Sequence, residues 1–264
     1  MGGFEFKKKF GQNFLSDKNL LEQIVKKSGV MSDDVVVEIG AGKGALTEYL
    51  SKNAKKVYSF EIDVDLFEYL EEKFANSNVE FVFKDVMKVN DEELNELLNN
   101  QKFKLVANLP YYVTSPILTR FLQNKNLESA TVMVQEEVAD RIIASPKSKD
   151  YGVLSIMCQC FGSAEKVLRV NRKMFYPIPN VDSAVVKIQS NSIVGDIDYI
   201  EFINFVKKAF SMRRKKLSAN LESNKMKKQE IESLLAENGF SPLVRAEELS
   251  IDDFKILFKA FHLK

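Results

Sequence analysis

The chain has 264 residues, of which 45% are hydrophobic and 28% charged, and this balance excludes a wholly disordered or fibrous protein. Because 38 Lys and Arg nearly cancel 37 Asp and Glu, the net charge of +1 by itself indicates no polyanionic partner. One histidine and two cysteines, Cys158 and Cys160, leave little material for a zinc site, a disulfide framework or histidine-based catalysis. We therefore expect no metal and two reduced core thiols.

The sequence contains no apolar run long enough to span a membrane. Its first 17 residues are basic and aromatic, and they lack the apolar stretch of a signal peptide. We therefore expect a cytoplasmic protein with no membrane partner, and we expect it to be a monomer.

Helices and strands alternate from the N-terminal region onwards. A helix is predicted between the capping residues Ser16-Asp17 and the stop signal Gly29, and others over 44–51, 63–74, 91–100, from 115, over 136–144 and over 151–160. Short β-branched or aromatic runs predict seven strands, at 34–39, 56–61, 79–83, 103–108, 129–135, 164–170 and 183–189. This alternation is typical of a Rossmann-like α/β fold, whose parallel sheet is covered on both faces. The last two strands have no clear helix between them, so we expect them to form an antiparallel pair at one edge.

The character of the chain changes in a polar, glycine-containing stretch at 190–196. Beyond it the hydrophobic periodicity predicts helices only. We therefore expect two domains, a sheet domain at 1–190 with a basic N-terminal segment and a small all-helical domain at 191–264.

The first strand runs into a loop with glycines at 40, 42 and 44. The spacing G-x-G-x-G differs from the dinucleotide fingerprint G-x-G-x-x-G, and no Gly-Lys-Ser/Thr sequence indicates a P-loop. Glu61 follows the second strand and could accept both ribose hydroxyls, whereas Asp85 follows the third and could accept from an adenine amino group. A glycine loop followed by two acids predicts an adenosine pocket without a pyrophosphate site, which fits S-adenosylmethionine better than NAD.

The fourth strand ends in Asn108-Leu109-Pro110-Tyr111. An exocyclic base amine is a poor nucleophile, because its lone pair is delocalised into the ring. The Asn108 side-chain oxygen and the Leu109 carbonyl could accept its two N–H bonds and draw the nitrogen towards tetrahedral geometry. Pro110 could hold that carbonyl outward, and Tyr111 offers a face for stacking. Since the leaving group is a neutral thioether, alignment and electrostatics suffice for catalysis.

Four motifs together resemble the small-subunit (16S) rRNA adenine N6,N6-dimethyltransferases of the KsgA/RsmA family, over nearly the whole chain. They lie at 7–17, 38–47, 108–117 and 175–183. The resemblance implies that S-adenosylmethionine contacts the cofactor-binding residues Asn13, Leu15, Gly40, Gly42, Glu61, Asp85 and Asn108. It further implies that Asn108, Leu109 and Tyr111 handle the target adenine and that Phe175 stacks on its other face.

The same resemblance implies the substrate and the biological role. The family dimethylates two adjacent adenosines in the 3′-terminal hairpin of small-subunit rRNA, and it acts on an immature 30S particle during ribosome biogenesis. Large-subunit rRNA dimethyltransferases of the antibiotic-resistance type share the chemistry but usually begin the catalytic motif with Asn-Ile-Pro-Tyr. A DNA adenine methyltransferase and a non-catalytic ribosome-assembly factor that binds RNA are further alternatives.

Phosphate contacts should supply most of the affinity for RNA. Nine Lys or Arg lie between 207 and 228 against one acid, and a second basic cluster lies near the N-terminus. The predicted RNA-binding residues are Lys7, Lys8, Lys9, Lys207, Lys208, Arg213, Arg214, Lys215 and Lys216.

Overall fold

The computed structural model describes residues 14–191, 197–223 and 226–262. They divide into two compact units. The sheet unit comprises 14–139 and 164–190, and the helical unit comprises 140–163 and the described residues after 190.

Seven strands form one mixed sheet in the sheet unit, and two short strands form a second sheet. The strands are β1 (Phe14–Leu15), β2 (Val35–Ile39), β3 (Lys56–Phe60), β4 (Val79–Val82), β5 (Phe103–Asn108), β6 (Leu127–Gln135), β7 (Gly162–Val170), β8 (Phe175–Tyr176) and β9 (Ser183–Ser190). The large sheet has the order β4-β3-β2-β5-β6-β9-β7. Its first five strands are parallel, and β9 runs antiparallel to β6. All seven predicted strands are confirmed, and β9 and β7 are neighbours at one edge.

Helices follow the strands of the sheet unit, as the alternation predicts. They are α1 (Lys18–Ser28), α2 (Ala45–Asn53), α3 (Phe67–Phe74), α4 (Asp91–Leu97), α5 (Thr114–Phe121) and α6 (Glu136–Ile142), the last of which ends in the helical unit. α1 begins where the Asp17 carboxylate accepts a hydrogen bond from the Leu20 N–H at 2.8 Å, and it ends at left-handed Gly29. Apolar residues of α1 and α2 pack with β2, β3 and β5 in one core cluster.

Five further helices build the helical unit. They are α7 (Val153–Phe161), α8 (Tyr199–Ala209), α9 (Leu217–Leu221), α10 (Lys228–Glu237) and α11 (Ile251–His262). Its core includes Phe202 and Phe258, whose rings meet edge to face at 5.5 Å. None of the described helices is long and apolar enough to cross a membrane.

The segment 140–163 belongs to the helical unit, although the sequence places it in the first domain. Tyr151 explains this, because its hydroxyl donates to the Leu249 carbonyl at 2.9 Å and its ring packs against Phe210. The two units and the two expected domains share the boundary after residue 190.

Cys158 and Cys160 are free and buried in α7, as expected of core thiols. Burial raises the pKa of both, that of Cys160 to about 12, so both stay protonated at neutral pH.

Candidate active site

A cavity of about 400 Å³ opens in the sheet unit beyond the carboxyl ends of the parallel strands. Its walls come from the β2–α2 loop, the residues that follow β3, β4 and β5, and the strand β1. Parallel α/β sheets bind ligands at this edge, because loops from several strands converge there. Of the predicted site residues that the structure describes, the cavity lining includes Leu15, Gly40, Gly42, Glu61, Asp85, Asn108, Leu109, Pro110 and Tyr111.

The glycine loop needs its glycines for conformation and for space. Gly42 has φ +53, and a Cβ there would lie 3.0 Å from the Phe14 ring. Gly40 has φ +81, and its N–H donates to the Phe60 carbonyl at 2.8 Å, which ties the loop to the end of β3. A Cβ at Gly40 would lie 3.8 Å from the Asn108 backbone oxygen, so the loop passes close to the end of β5.

The Glu61 carboxylate braces this loop. Its Oε2 accepts from the Gly42 N–H at 2.8 Å, and its Oε1 accepts from the N–H groups of Ile62 and Asp63 at 2.7 and 2.9 Å. The Oε2 atom accepts only one of these three hydrogen bonds and keeps a further acceptor position, so the fixed carboxylate can still receive a ligand hydroxyl. Glu61 thus lies where the sequence predicts a ribose-binding acid.

Asp85 lies in the loop that follows β4, three residues beyond the end of the strand, and lines the cavity. Its carboxylate accepts from the Met87 N–H at 3.0 Å and thereby caps a short 3-10 turn at Val86–Lys88. The turn presents Asp85 and Met87 to the cavity.

Glu38 is a buried acid near the end of β2, within the 38–47 motif, and the sequence assigns it no role of its own. Its Oε2 accepts from the hydroxyls of Thr47 and Ser59, both at 2.6 Å. Burial raises the pKa of this carboxyl to about 7, although the two hydroxyl donors oppose the shift. Glu38 lines the cavity, so it is an ionisable group with a pKa near neutrality in the candidate site.

Asn108 and the three residues after it form one wall of the cavity. Pairing with β6 continues past the strand end, because the Leu109 N–H donates to the Met133 carbonyl at 3.2 Å. Pro110 has φ −59, and its carbonyl accepts from the Thr114 hydroxyl at 3.2 Å and from the Val113 N–H at 3.1 Å. These bonds fix the direction in which the chain leaves the strand.

A hydrogen bond holds Tyr111. Its hydroxyl lies 2.8 Å from that of Ser183, at the start of β9. Burial raises the pKa of Tyr111, so the phenol stays neutral and its ring is a stacking face without charge. Ser183 is the last residue of the 175–183 motif, but nothing in the sequence predicts its contact with Tyr111, which is 72 positions away.

Phe175 is not among the residues that line the cavity. Its side chain is 2% exposed and packs in the core cluster that includes Leu15, its partner across the β1–β8 ladder. The open stacking face that the resemblance implies is therefore absent from this conformation, because apolar packing hides the ring. Base stacking by Phe175 would require the ring to leave that cluster and stays a prediction.

The predicted RNA-binding cations differ in their surroundings. Lys207, Arg214 and Lys215 are exposed, and Lys216 is half-buried. Lys208 donates to the Leu221 carbonyl at 2.7 Å. Lys7, Lys8 and Lys9, like the predicted cofactor residue Asn13, lie outside the described residues.

The Arg213 side chain interacts with other residues of the helical unit. Its Nε lies 3.2 Å from the Glu247 carboxylate, and its Nη2 donates to the carbonyls of Lys149 and Tyr151. These contacts join the turn after α8 to two loops of the helical unit, so Arg213 is a structural residue there.

The cavity is also lined by residues for which the sequence predicts no role in the site. Exposed apolar side chains at its edge belong to Ile62, Met87 and Tyr112. Among the residues that the structure describes, no group of three or more His, Cys, Asp or Glu could hold a metal ion.

The residues of the cavity fit an adenosine-type cofactor. A glycine loop that a Cβ would obstruct allows close approach, Glu61 and Asp85 provide acceptors at two strand ends, and the apolar lining suits an adenine ring. Asn108 and Leu109 lie on the same cavity, so a methyl donor held there would face a polar wall that can receive an amino group.

Comparison with known proteins finds methyltransferases that match nearly the whole chain. The family model described as ribosomal RNA adenine dimethylase matches residues 3–262. The chain is 43% identical over 261 residues to a ribosomal RNA small subunit methyltransferase A of Caldanaerobacter subterraneus subsp. tengcongensis, with 97% of each chain covered.

Two solved structures resemble the chain over nearly its whole length. A dimethyladenosine transferase from Plasmodium falciparum has a TM-score of 0.80 at 27% identity and covers 94% of this chain and 98% of its own. The 23S rRNA methyltransferase ErmE has a TM-score of 0.71 at 26% identity and covers 95% of this chain and 100% of its own.

Proposed function

Because the chain belongs to the ribosomal RNA adenine dimethylase family, and is therefore an S-adenosylmethionine-dependent rRNA adenine dimethyltransferase, we propose that its substrate is small-subunit rRNA. In this proposal it methylates two adjacent adenosines of the 3′-terminal hairpin, on an immature 30S particle in the cytoplasm. It acts as a monomer, and the methylation accompanies ribosome biogenesis.

The observation that carries the proposal is Asn108 beside the glycine loop. The Gly40 backbone approaches the Asn108 backbone, and both residues line the cavity. When bound, S-adenosylmethionine supplies a methyl carbon on a positively charged sulfonium. Glu61 and Asp85 would hold its ribose and adenine, and Gly40 and Gly42 would let the backbone approach it.

The residues of the catalytic motif position the target amine. The Asn108 amide oxygen and the Leu109 carbonyl would accept its two N–H bonds and turn the nitrogen lone pair towards the cofactor. Tyr111, fixed by Ser183 and neutral, would stack on the unstacked adenine. An adenosine in a duplex cannot reach this wall, so the enzyme needs a flipped or unpaired base.

The choice of subunit rests on the relatives. Three curated relatives that are 42–44% identical over at least 95% of this chain are named ribosomal RNA small subunit methyltransferase A, whereas the large-subunit enzyme ErmE is 26% identical. The sequence Asn108-Leu109-Pro110-Tyr111 agrees with this choice, because the antibiotic-resistance enzymes usually carry Ile at the second position. The exposed cations Lys207, Arg214 and Lys215 would supply phosphate contacts.

The test is methyl transfer from labelled S-adenosylmethionine to purified subunits. We expect label on adenosines of the small-subunit RNA when the subunits are under-methylated, and no label when they come from fully methylated ribosomes. Label that appears only on large-subunit RNA would overturn the proposal.

A further inference from the structure

Three large side chains with apolar surface, one in the cavity lining and two in or just after β8, are exposed to solvent. Tyr112 lines the cavity and is 62% exposed, and the loop that follows β8 exposes Ile178 by 59%. Tyr176, within β8, is 66% exposed. Exposure of apolar surface to water is unfavourable, and a contiguous exposed apolar patch usually marks an interaction site.

Both ends of this loop are attached to cavity walls. Tyr176 pairs directly with Phe14, and because directly paired residues of an antiparallel ladder lie on the same face, its side chain lies beside that of Phe14, which lines the cavity. At the other end Ser183 is hydrogen-bonded to Tyr111. The loop therefore connects two walls of the cavity.

The chemistry of the patch favours unpaired bases as its occupant. Tyrosine rings offer flat faces on which any base can stack, and such contacts tolerate differences in sequence. Arg172 and Lys173 precede the patch and are exposed, so phosphates beside a stacked base would meet positive charge.

We propose that Tyr112, Tyr176 and Ile178 form a stacking platform that binds the unpaired nucleotides on either side of the target adenosine. This inference rests on the proposed function, because it needs an RNA substrate with an unpaired loop. While Tyr111 faces the reacting base, the platform holds its neighbours outside the cavity. The second adenosine of an adjacent pair would then wait at the mouth, stacked on the platform and not on a neighbouring base.

The test uses an RNA hairpin whose unpaired loop carries 2-aminopurine next to the target adenosine, together with a fully paired duplex of the same length. Tyr176→Ala and Tyr112→Ala should each bind the hairpin about tenfold more weakly than the wild type, a typical effect of losing one base–aromatic stack. They should also lose the quenching of 2-aminopurine fluorescence. Tyr176→Phe, which keeps the ring, should behave as the wild type.

Tyr69→Ala is the matched control, because Tyr69 is an exposed tyrosine of the same unit on α3 and does not line the cavity. It should bind the hairpin as the wild type does. The platform is wrong if both alanine variants bind within twofold of the wild type, if quenching persists in them, or if they lose affinity for the duplex to the same extent.

Failure of the platform and failure of the proposed function give different results. If the wild type methylates small subunits but the variants bind the hairpin normally, the platform alone fails. If the wild type binds and quenches the hairpin but methylates no small-subunit RNA, the proposed substrate fails and the stacking surface stands.

Discussion

Asn108 lies at the point where the strand β5 ends and the catalytic motif begins. In the proposed mechanism methyl transfer needs no strong base, so the alignment of the amine depends on an acceptor at this position. Removing one polar group that acts mainly in a transition state commonly costs about a hundredfold or more in rate.

We therefore expect Asn108→Ala to lower methyl transfer at saturating substrate by about a hundredfold or more. RNA affinity should stay close to that of the wild type, since phosphate contacts supply most of it. Single-turnover transfer and filter binding measure the two effects. Asn76→Ala, at an exposed asparagine after α3, is the control. A variant that transfers at an undiminished rate would show that Asn108 does not position the amine.

Glu38 couples the stability of the sheet unit to pH. Its pKa is raised from 4.5 to about 7 by burial, so between these values the folded protein binds more protons than the unfolded chain. The contribution of this group to the free energy of unfolding is therefore full below pH 4.5, falls as the pH rises towards 7, and is constant above. The total change is on the order of 3 kcal/mol.

Glu38→Gln keeps an acceptor for Thr47 and Ser59 but does not titrate. We expect its stability relative to the wild type to increase by a few kcal/mol, on the order of 3, between pH 4.5 and 7. Urea unfolding at several pH values measures this difference. A difference that stays constant over the interval would contradict the raised pKa of Glu38.

At the scale of the element, the β2–α2 loop combines backbone strain with close packing. Left-handed conformations cost a residue with a side chain about 1–2 kcal/mol, and a Cβ at Gly42 would also press on the Phe14 ring. Gly239 also has a positive φ, +82, but has nothing within 4 Å of its Cβ position.

These two glycines form a matched pair. Gly42→Ala should lower the affinity for S-adenosylmethionine about tenfold, because the loop must shift to relieve the contact. Gly239→Ala should reduce stability by about 1 kcal/mol and leave cofactor affinity unchanged. Calorimetric titration and thermal unfolding measure the effects. Equal cofactor affinity in both variants would refute the role of Gly42.

Some of the strands and contacts can be predicted from the sequence, and others cannot. The seven strands of the large sheet are predictable because each is a local apolar or β-branched run, and acids at strand ends converge by topology. The pairing of β1 with β8 is not, since each strand has two residues and the partners lie far apart in the chain. The assignment of Tyr151 to the helical unit depends on a hydrogen bond across 98 positions, for which no local pattern exists.

Over the whole molecule the total charge is near neutral, but the individual cations differ in whether they are bonded within the protein or exposed. Arg213 uses its guanidinium inside the helical unit, whereas its neighbour Arg214 is exposed and has no ion pair among the described residues. We therefore expect the two adjacent arginines to act separately, Arg213 in stability and Arg214 in RNA binding.

Arg214→Ala should weaken RNA binding and reduce the salt dependence of the logarithm of affinity by about one. Arg213→Ala should instead lower the melting temperature, because the carbonyls of Lys149 and Tyr151 and the Glu247 carboxylate lose their donor. Salt titrations and calorimetry separate the two. Arg214→Ala with an unchanged salt slope would count against the C-terminal basic segment as the phosphate-binding surface.

Three backbone N–H groups donate to the Glu61 carboxylate, and this arrangement bears on how the enzyme exchanges its cofactor between successive methyl transfers. Because the Gly42 N–H donates to the Glu61 carboxylate within the folded chain, we expect the glycine loop to lose little conformational entropy when the cofactor binds. After each methyl transfer the demethylated cofactor must leave and another molecule of S-adenosylmethionine must bind. If the pocket keeps the same conformation, successive rounds of transfer do not require it to be ordered again.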